Sequence, residues 1–129
     1  MNINVKNINV IELKEMLDND DISIIDVRED EELSTGKISS KAIHIPLSSK
    51  SLSYDLVDAI VGITKSNKKV AINCKSGGRS MMACVKAQGD IEELLKEGQL
   101  KDLKNIESID ILNVEGGIDA WTRNGYDVS

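Results

Sequence analysis

One short stretch decides the fold: from Lys69 to Ser80 the chain reads KVAINCKSGGRS. Its first part, residues 69–73, is apolar in the middle and polar at both ends, which predicts a short buried strand. Gly77 and Gly78 let the backbone turn sharply after this strand, and a helix is predicted from Ser80 onward. A strand, a tight loop and a helix in direct succession indicate an α/β fold.

The same alternation of strand and helix patterns runs through the rest of the chain. Short apolar runs predict further strands over residues 23–27, 42–46 and 110–114. Helical spacing of apolar residues predicts helices over residues 11–18, 52–63 and 118–123, with one or two helical turns over residues 29–34. Alternating strands and helices imply a parallel sheet covered on both faces, and the length of 129 residues favours one domain over residues 1–129.

A long segment separates the helix after the loop from the last predicted strand. We predict a helix over residues 80–88 that ends at Gly89, and a second helix that Asp90 caps and that presents Ile91 and Leu94 on one face. These features place an extra helical segment around residues 89–107. It is either a solvated amphipathic helix over the edge of the sheet, which we favour, or a partner-docking surface or lid.

Charge and composition argue against several classes of partner. With 16 basic and 22 acidic residues the net charge is −6, which disfavours nonspecific binding to nucleic acid or to anionic membranes. The N-terminus lacks the basic and apolar regions of a secretory signal, and no apolar run approaches the ~20 residues of a membrane span. We therefore expect a soluble cytoplasmic protein, either a monomer or a homodimer.

The cysteine and histidine counts bear on redox state and metal binding. Cys74 and Cys84 fit a reducing compartment, and they match neither a disulfide framework nor a zinc pattern. With a single histidine in the chain as well, we expect no metal and no cofactor. Cys84 lies about one turn into the post-loop helix, where we expect a small buried apolar side chain rather than a disulfide partner of Cys74.

The loop that begins at Cys74 carries the candidate chemistry. In parallel sheets covered by helices, ligands bind beyond the carboxyl ends of the strands, where Cys74 is expected. Gly77 and Gly78 allow several backbone N–H groups to point inward, and the helix that follows adds the positive end of its dipole. Lys75 and Arg79 add positive charge nearby. These surroundings favour a thiolate, the nucleophilic form of cysteine, and a cradle for an anionic substrate.

Several segments resemble the rhodanese family, in the order in which that family carries them. They are CKSGGRS over residues 74–80, IIDVRE over 24–29, GKI over 36–38 with AIHIP over 42–46, and LNVEGGIDAW over 112–121 with Gly125 and Tyr126. The resemblance implies a three-layer α/β/α fold with a mainly parallel five-stranded sheet. The chain departs from the family at Lys37, where a histidine is usual, in one extra residue between Gly36 and Pro46, and in the added segment 89–107.

The reaction implied by this resemblance moves a sulfane sulfur from a small anionic donor, such as thiosulfate, to a thiol, protein or cyanide acceptor through a persulfide on Cys74. The expected substrate-binding residues are the other members of the loop, namely Lys75, Ser76, Gly77, Gly78, Arg79 and Ser80. Asp26 and Arg28 are expected to support the loop from a neighbouring strand end, as a salt bridge. For Arg79 two roles stay open, binding the substrate or tying the loop to a carboxylate.

Two other functions remain open on the same fold. Cysteine phosphatases and arsenate reductases also combine a cysteine, a backbone cradle and an arginine. Phosphatase loops, however, place one residue more between cysteine and arginine than the residues 75–78 found here. By resemblance, the tighter loop suits sulfur. The other alternative is a rhodanese-like protein-binding module without turnover, against which the presence of Cys74 argues.

Overall fold

The computed structural model describes residues 1–103 and 105–129, and within them five strands alternate with helices. The strands are β1 (Asn2–Ile8), β2 (Ile22–Asp26), β3 (Ile43–His44), β4 (Lys69–Asn73) and β5 (Ser108–Val114). The helices are α1 (Val10–Asp18), α2 (Leu52–Lys65), α3 (Gly78–Lys96) and α4 (Gly117–Arg123), with short 3-10 helices at Asp30–Thr35 and Lys101–Leu103. None of these described helices is long and apolar enough to cross a membrane.

The described strands form one sheet in the order β1-β5-β4-β2-β3, and every neighbouring pair is parallel. Strand β4 is central, and its residues Val70, Ala71 and Ile72 are fully buried. A strand covered on both faces needs apolar side chains at successive positions, which is the pattern that predicted it. The residue after β4 consequently emerges at the carboxyl edge of the sheet, between the ends of β2 and β5.

Helices cover both faces of this sheet. Alternate side chains of a strand point to opposite faces, and Val70 and Ala71 accordingly belong to different apolar clusters. Helices α2 and α3 bury their apolar faces in the cluster of Val70, while α1 and α4 pack on the side of Ala71 through residues that include Leu13 and Trp121. The three-layer α/β/α architecture with a parallel five-stranded sheet is thereby confirmed.

The N-terminal strand β1 was not recognised in the sequence. Residues 2–8 read NINVKNI, and asparagine, which disfavours strands, occupies three of these positions. The strand nevertheless pairs with β5 along its whole length, from Asn2 opposite Ser108 to Ile8 opposite Val114. Its pairing partner lies 106 positions away, so the stabilising contacts leave no local pattern in the sequence.

Helix α3 corrects one prediction. It runs without interruption from Gly78 to Lys96, so the expectation that Gly89 ends a helix and that Asp90 caps another was wrong. A glycine inside a helix costs only about 1 kcal/mol relative to alanine. The helix gains more by burying Ala87 and Ile91, which lie on either side of Gly89 and are both fully buried.

The extra helical segment expected around residues 89–107 is therefore largely the C-terminal part of α3. The 3-10 helix Lys101–Leu103 follows it, and position 104 lies outside the described residues. Leu103 is fully buried, and Leu94 and Leu100 pack against the apolar cluster beneath α2 and α3. The segment thus adds to the apolar core on this face of the sheet.

Candidate active site

Cys74 follows β4 directly and lies in a pocket of backbone N–H groups. Only 1% of its surface is exposed. Gly77 has φ +106°, a left-handed conformation that glycine adopts without strain, and its N–H donates to Cys74 Sγ at 3.1 Å. Helix α3 begins at Gly78, so the N–H groups of its first turn, which have no partners within the helix, lie beside the sulfur together with the positive end of the helix dipole.

The hydrogen bonds around the sulfur favour its charged form. Burial by itself raises the pKa of Cys74, but the Ser80 hydroxyl and the backbone N–H groups of Ser80, Gly77 and Ser76 lower it by more. The outcome is a pKa below that of an ordinary cysteine. Cys84, fully buried within α3, shows the contrast, because burial raises its pKa to about 12. Of the two cysteines in the sequence, Cys74 is therefore the one disposed to act as a nucleophile.

A turn between β5 and α4 holds the loop from its other side. Ile118 N–H donates to Cys74 O at 3.1 Å, and Asp119 N–H donates to Lys75 O at 3.0 Å. Gly117 permits this approach: its φ is +58°, and a Cβ atom there would lie 2.5 Å from Cys74 O. The turn therefore fixes the backbone of the cysteine loop at Cys74 and Lys75.

Arg79 is engaged by a carboxylate. Its Nη1 and Nη2 atoms lie 2.6 and 2.9 Å from Oε1 and Oε2 of Glu32, which belongs to the 3-10 helix Asp30–Thr35. The hydrogen bond with Arg79 lowers the pKa of Glu32 to about 2. A planar guanidinium that meets a carboxylate through two parallel bonds is held in one orientation. Of the two roles left open for Arg79, this geometry supports bracing of the loop.

A buried ion pair of Asp26 with Arg28 supports the helix that carries Glu32. Asp26 and Arg28 have at most 2% of their surface exposed, and Arg28 Nη2 lies 2.8 Å from Asp26 Oδ2. Arg28 also donates to the carbonyl oxygens of Glu32 and Gly36, at 3.1 and 2.8 Å. Because a buried charge must be paired and hydrogen-bonded to be tolerated, these contacts fix the 3-10 helix against the end of β2. Through Glu32, the same helix positions Arg79.

The other predicted binding residues differ in what they contact. Lys75 is exposed, and its Nζ atom lies 3.0 Å from Oδ2 of Asp119 in α4, so its charge is shared with a carboxylate. Ser76 and Gly78 are also exposed. Ser80 is fully buried, with its Oγ atom 3.3 Å from Cys74 Sγ.

Asn113 is a polar residue of the site that sequence reasoning missed. It lies near the carboxyl end of β5, is 4% exposed, and accepts a hydrogen bond from Ser80 Oγ at 2.5 Å. Its Nδ2 atom donates to Asn7 Oδ1 at 3.1 Å. The available signal was a polar side chain inside the apolar run from Ile111 to Val114, since a buried amide requires partners.

Known proteins resemble this chain both in sequence and in structure. A family model described as the rhodanese-like domain matches residues 9–124. The Bacillus subtilis protein YtwF, which is named provisionally as a sulfurtransferase, is 34% identical over 118 residues, covering 91% of this chain and 90% of that protein. A rhodanese-related protein from Thermoplasma volcanium has a crystal structure that is similar with a TM-score of 0.53 and 28% identity, covering 96% of this chain and 97% of that one.

An As–Sb reductase from Leishmania major shares the fold as well. Its structure has a TM-score of 0.69 and 19% identity, and covers 95% of this chain and 80% of that protein. At this identity the likeness concerns the fold alone. The chemistry has to be argued from the loop between Cys74 and Arg79, which lies at the carboxyl edge of the shared sheet.

Proposed function

This chain belongs to the rhodanese-like domain family, and from that premise we propose that it is a sulfurtransferase that carries sulfur as a persulfide on Cys74. The observation that supports the proposal most directly is the set of hydrogen-bond donors at Cys74 Sγ: the Gly77 N–H lies at 3.1 Å, and the Ser80 hydroxyl, which can donate either to the sulfur or to Asn113, lies at 3.3 Å. Such donors stabilise a thiolate before reaction and a charged terminal sulfur after it. The proposed donor is a small anionic sulfane-sulfur compound such as thiosulfate.

In the first half-reaction, the Cys74 thiolate attacks the outer sulfur of the donor. A new S–S bond forms to Cys74 while the bond between the two donor sulfurs breaks, and the leaving group departs with the electron pair, as sulfite in the case of thiosulfate. Cys74 then carries a persulfide whose terminal sulfur is negatively charged. The backbone N–H groups of the loop are already oriented, so they stabilise this charge without rearrangement.

In the second half-reaction, a nucleophilic acceptor removes the outer sulfur. A thiolate of a small molecule or protein, or cyanide in an assay, attacks the terminal sulfur, and Cys74 leaves as a thiolate with the electrons of the S–S bond. The lowered pKa of Cys74 makes it a better leaving group and increases the share of its nucleophilic thiolate form. The two steps together regenerate the starting site without an oxidant or a cofactor.

The cations of the loop support this chemistry in unequal ways. Arg79 is tied to Glu32 and Lys75 is paired with Asp119, so we propose that the donor is bound chiefly by backbone N–H groups. Ser76 and Gly78, which are exposed members of the loop, are proposed to contact the donor as it enters. Free cysteines suit a reducing compartment, so we also propose a cytoplasmic location, with the chain acting as a single domain.

The test of this function is sulfur loading measured by intact mass. Wild-type protein incubated with thiosulfate is expected to gain one sulfur atom, and subsequent cyanide should remove it with formation of thiocyanate. Cys84→Ala, which changes the buried cysteine, should load like the wild type, whereas Cys74→Ala should not load. A wild-type protein that keeps an unmodified thiol with thiosulfate and with a glutathione persulfide donor, yet hydrolyses an aryl phosphate in a Cys74-dependent manner, would be a phosphatase instead.

A further inference from the structure

The Ser80 hydroxyl has one hydrogen to donate and several acceptors within reach. Cys74 Sγ and Gly77 O each lie 3.3 Å from Ser80 Oγ, and Asn113 Oδ1 lies at 2.5 Å. Because one hydroxyl carries one hydrogen, a bond donated to Asn113 is made at the expense of a bond to Cys74. The side-chain amide of Asn113 therefore competes with the sulfur for the same hydrogen.

The amide of Asn113 has two orientations with opposite consequences. As placed, its Oδ1 accepts from Ser80 while its Nδ2 donates to Asn7 Oδ1 at 3.1 Å. Half a turn about the Cβ–Cγ bond exchanges the two atoms, so that Nδ2 donates to Ser80 Oγ and the hydroxyl hydrogen can turn to Cys74 Sγ or to Gly77 O, which already accepts from the N–H of Met81. Asn7 is exposed on the outer strand β1, so its own amide can turn to match.

We propose that Asn113 is a positioning residue whose amide sets whether the Ser80 hydroxyl points toward the sulfur of Cys74 or away from it. The purpose of the device rests on the proposed sulfurtransferase. In that reaction Cys74 Sγ is charged before attack, neutral as the inner sulfur of the persulfide, and charged again when the acceptor removes the outer sulfur. A donor that can turn serves all three stages, whereas a fixed donor suits only the charged ones.

The charged and titratable groups that face the site are held in place by other contacts. They are Arg79 with Glu32, Lys75 with Asp119, and the thiol of Cys84 on the inner side of α3. The Cys84 thiol stays neutral near pH 7, because burial raises its pKa to about 12. The backbone N–H of Gly77 is fixed by the loop. The Ser80 hydroxyl is therefore the donor at Cys74 that can be adjusted.

The experiment measures the pH midpoint of Cys74 alkylation by iodoacetamide, a neutral electrophile, on the full chain by intact mass. Asn113→Asp offers only acceptor oxygens and holds the Ser80 hydroxyl away from the sulfur, so the midpoint should rise by about one pH unit. Asn113→Leu is similar in size but offers no acceptor that competes with the sulfur, so the midpoint should fall below the wild-type value. Cys74→Ala reports any alkylation of Cys84.

Ser80→Ala separates the effect that Asn113 exerts through the Ser80 hydroxyl from the direct electrostatic effect of the new carboxylate on Cys74. Most of the rise caused by Asn113→Asp should disappear when it is introduced into Ser80→Ala. An undiminished rise in the double variant, or equal rises for Asn113→Asp and Asn113→Leu, would overturn the proposal and leave Asn113 as a packing residue.

Two features keep this test decisive. If circular dichroism shows that Asn113→Asp is unfolded, the remaining pair decides: Ser80→Ala must raise the midpoint and Asn113→Leu must lower it, and an unchanged midpoint in Asn113→Leu would overturn the proposal. Alkylation of Cys74 requires no sulfur donor, so the midpoints report on the effect of Asn113 through Ser80 even if the protein never forms a persulfide. A protein that does not load sulfur is thus distinguishable from one in which Asn113 has no influence on Cys74 through Ser80.

Discussion

Arg79 and Glu32 lie 47 positions apart in the sequence, yet their side chains form a bidentate ion pair beside the cysteine loop. The pair joins α3 to the 3-10 helix Asp30–Thr35, and Arg28 joins that helix to the buried carboxylate of Asp26 at the end of β2. The loop around Cys74 is thereby anchored to the strand next to its own. This geometry supports a role of the Arg79 charge in holding the loop against its neighbours.

Replacing Glu32 by glutamine tests this brace through its pH dependence. The hydrogen bond with Arg79 lowers the pKa of Glu32 from 4.5 to about 2, so the ion pair stabilises the fold above pH 4.5 and is lost as the pH falls toward 2. Both side chains are partly exposed, so we expect Glu32→Gln to cost about 1 kcal/mol of unfolding free energy at pH 7. The cost should vanish near pH 2.

Urea unfolding at both pH values measures this difference. Glu31→Gln changes an exposed carboxylate of the same 3-10 helix and is the matched control, with little expected effect at either pH. Equal losses for the two variants, or a loss from Glu32→Gln that persists at low pH, would contradict the brace.

Gly117→Ala should disturb the cysteine loop itself. The new methyl group would meet the carbonyl oxygen of Cys74 at 2.5 Å, so either the loop or α4 must move. We expect persulfide formation to slow by about tenfold or more, because a small displacement of the nucleophile is costly. Gly125→Ala is the control, since Gly125 has a comparable φ of +81° with nothing within 4 Å of its Cβ position. It should lose stability through backbone strain and keep its loading rate.

The sequence predicted those parts of the molecule whose causes are local. Strand β4 was predicted with its observed bounds, since an apolar run between polar ends is written in adjacent residues. A carboxylate partner was one of the two roles left open for Arg79, but Glu32 was not identified as that partner. The position of Asn113 beside Ser80 and the strand β1 were missed. Each depends on a partner far along the chain, which only the register of the sheet brings near. Long-range pairing of this kind has no pattern in a single sequence.

In helix α3, by contrast, the local rule that glycine ends a helix was overridden by packing. Gly89 lies inside the helix with no atom within 4 Å of its Cβ position. We expect Gly89→Ala to raise the free energy of unfolding by about 0.5–1 kcal/mol. Gly98→Ala should instead lower it, because Gly98 has φ +76°. Thermal unfolding distinguishes the two, and destabilisation by Gly89→Ala would mean that the helix ends there.

We expect the ion pair of Lys75 with Asp119 to limit how strongly the loop attracts the proposed anionic donor. Lys75 Nζ lies 3.0 Å from Asp119 Oδ2, and the Lys75 side chain is largely exposed. Asp119→Asn leaves Lys75 unneutralised, so persulfide formation from thiosulfate should accelerate about two- to fivefold at low ionic strength, and the gain should fade as salt screens the charge. Stopped-flow loading across a salt series measures this effect. When the double variant Lys75→Ala/Asp119→Asn is compared with Lys75→Ala, the gain in loading rate should be absent. If it persisted there, removal of the negative charge of Asp119 alone would account for it.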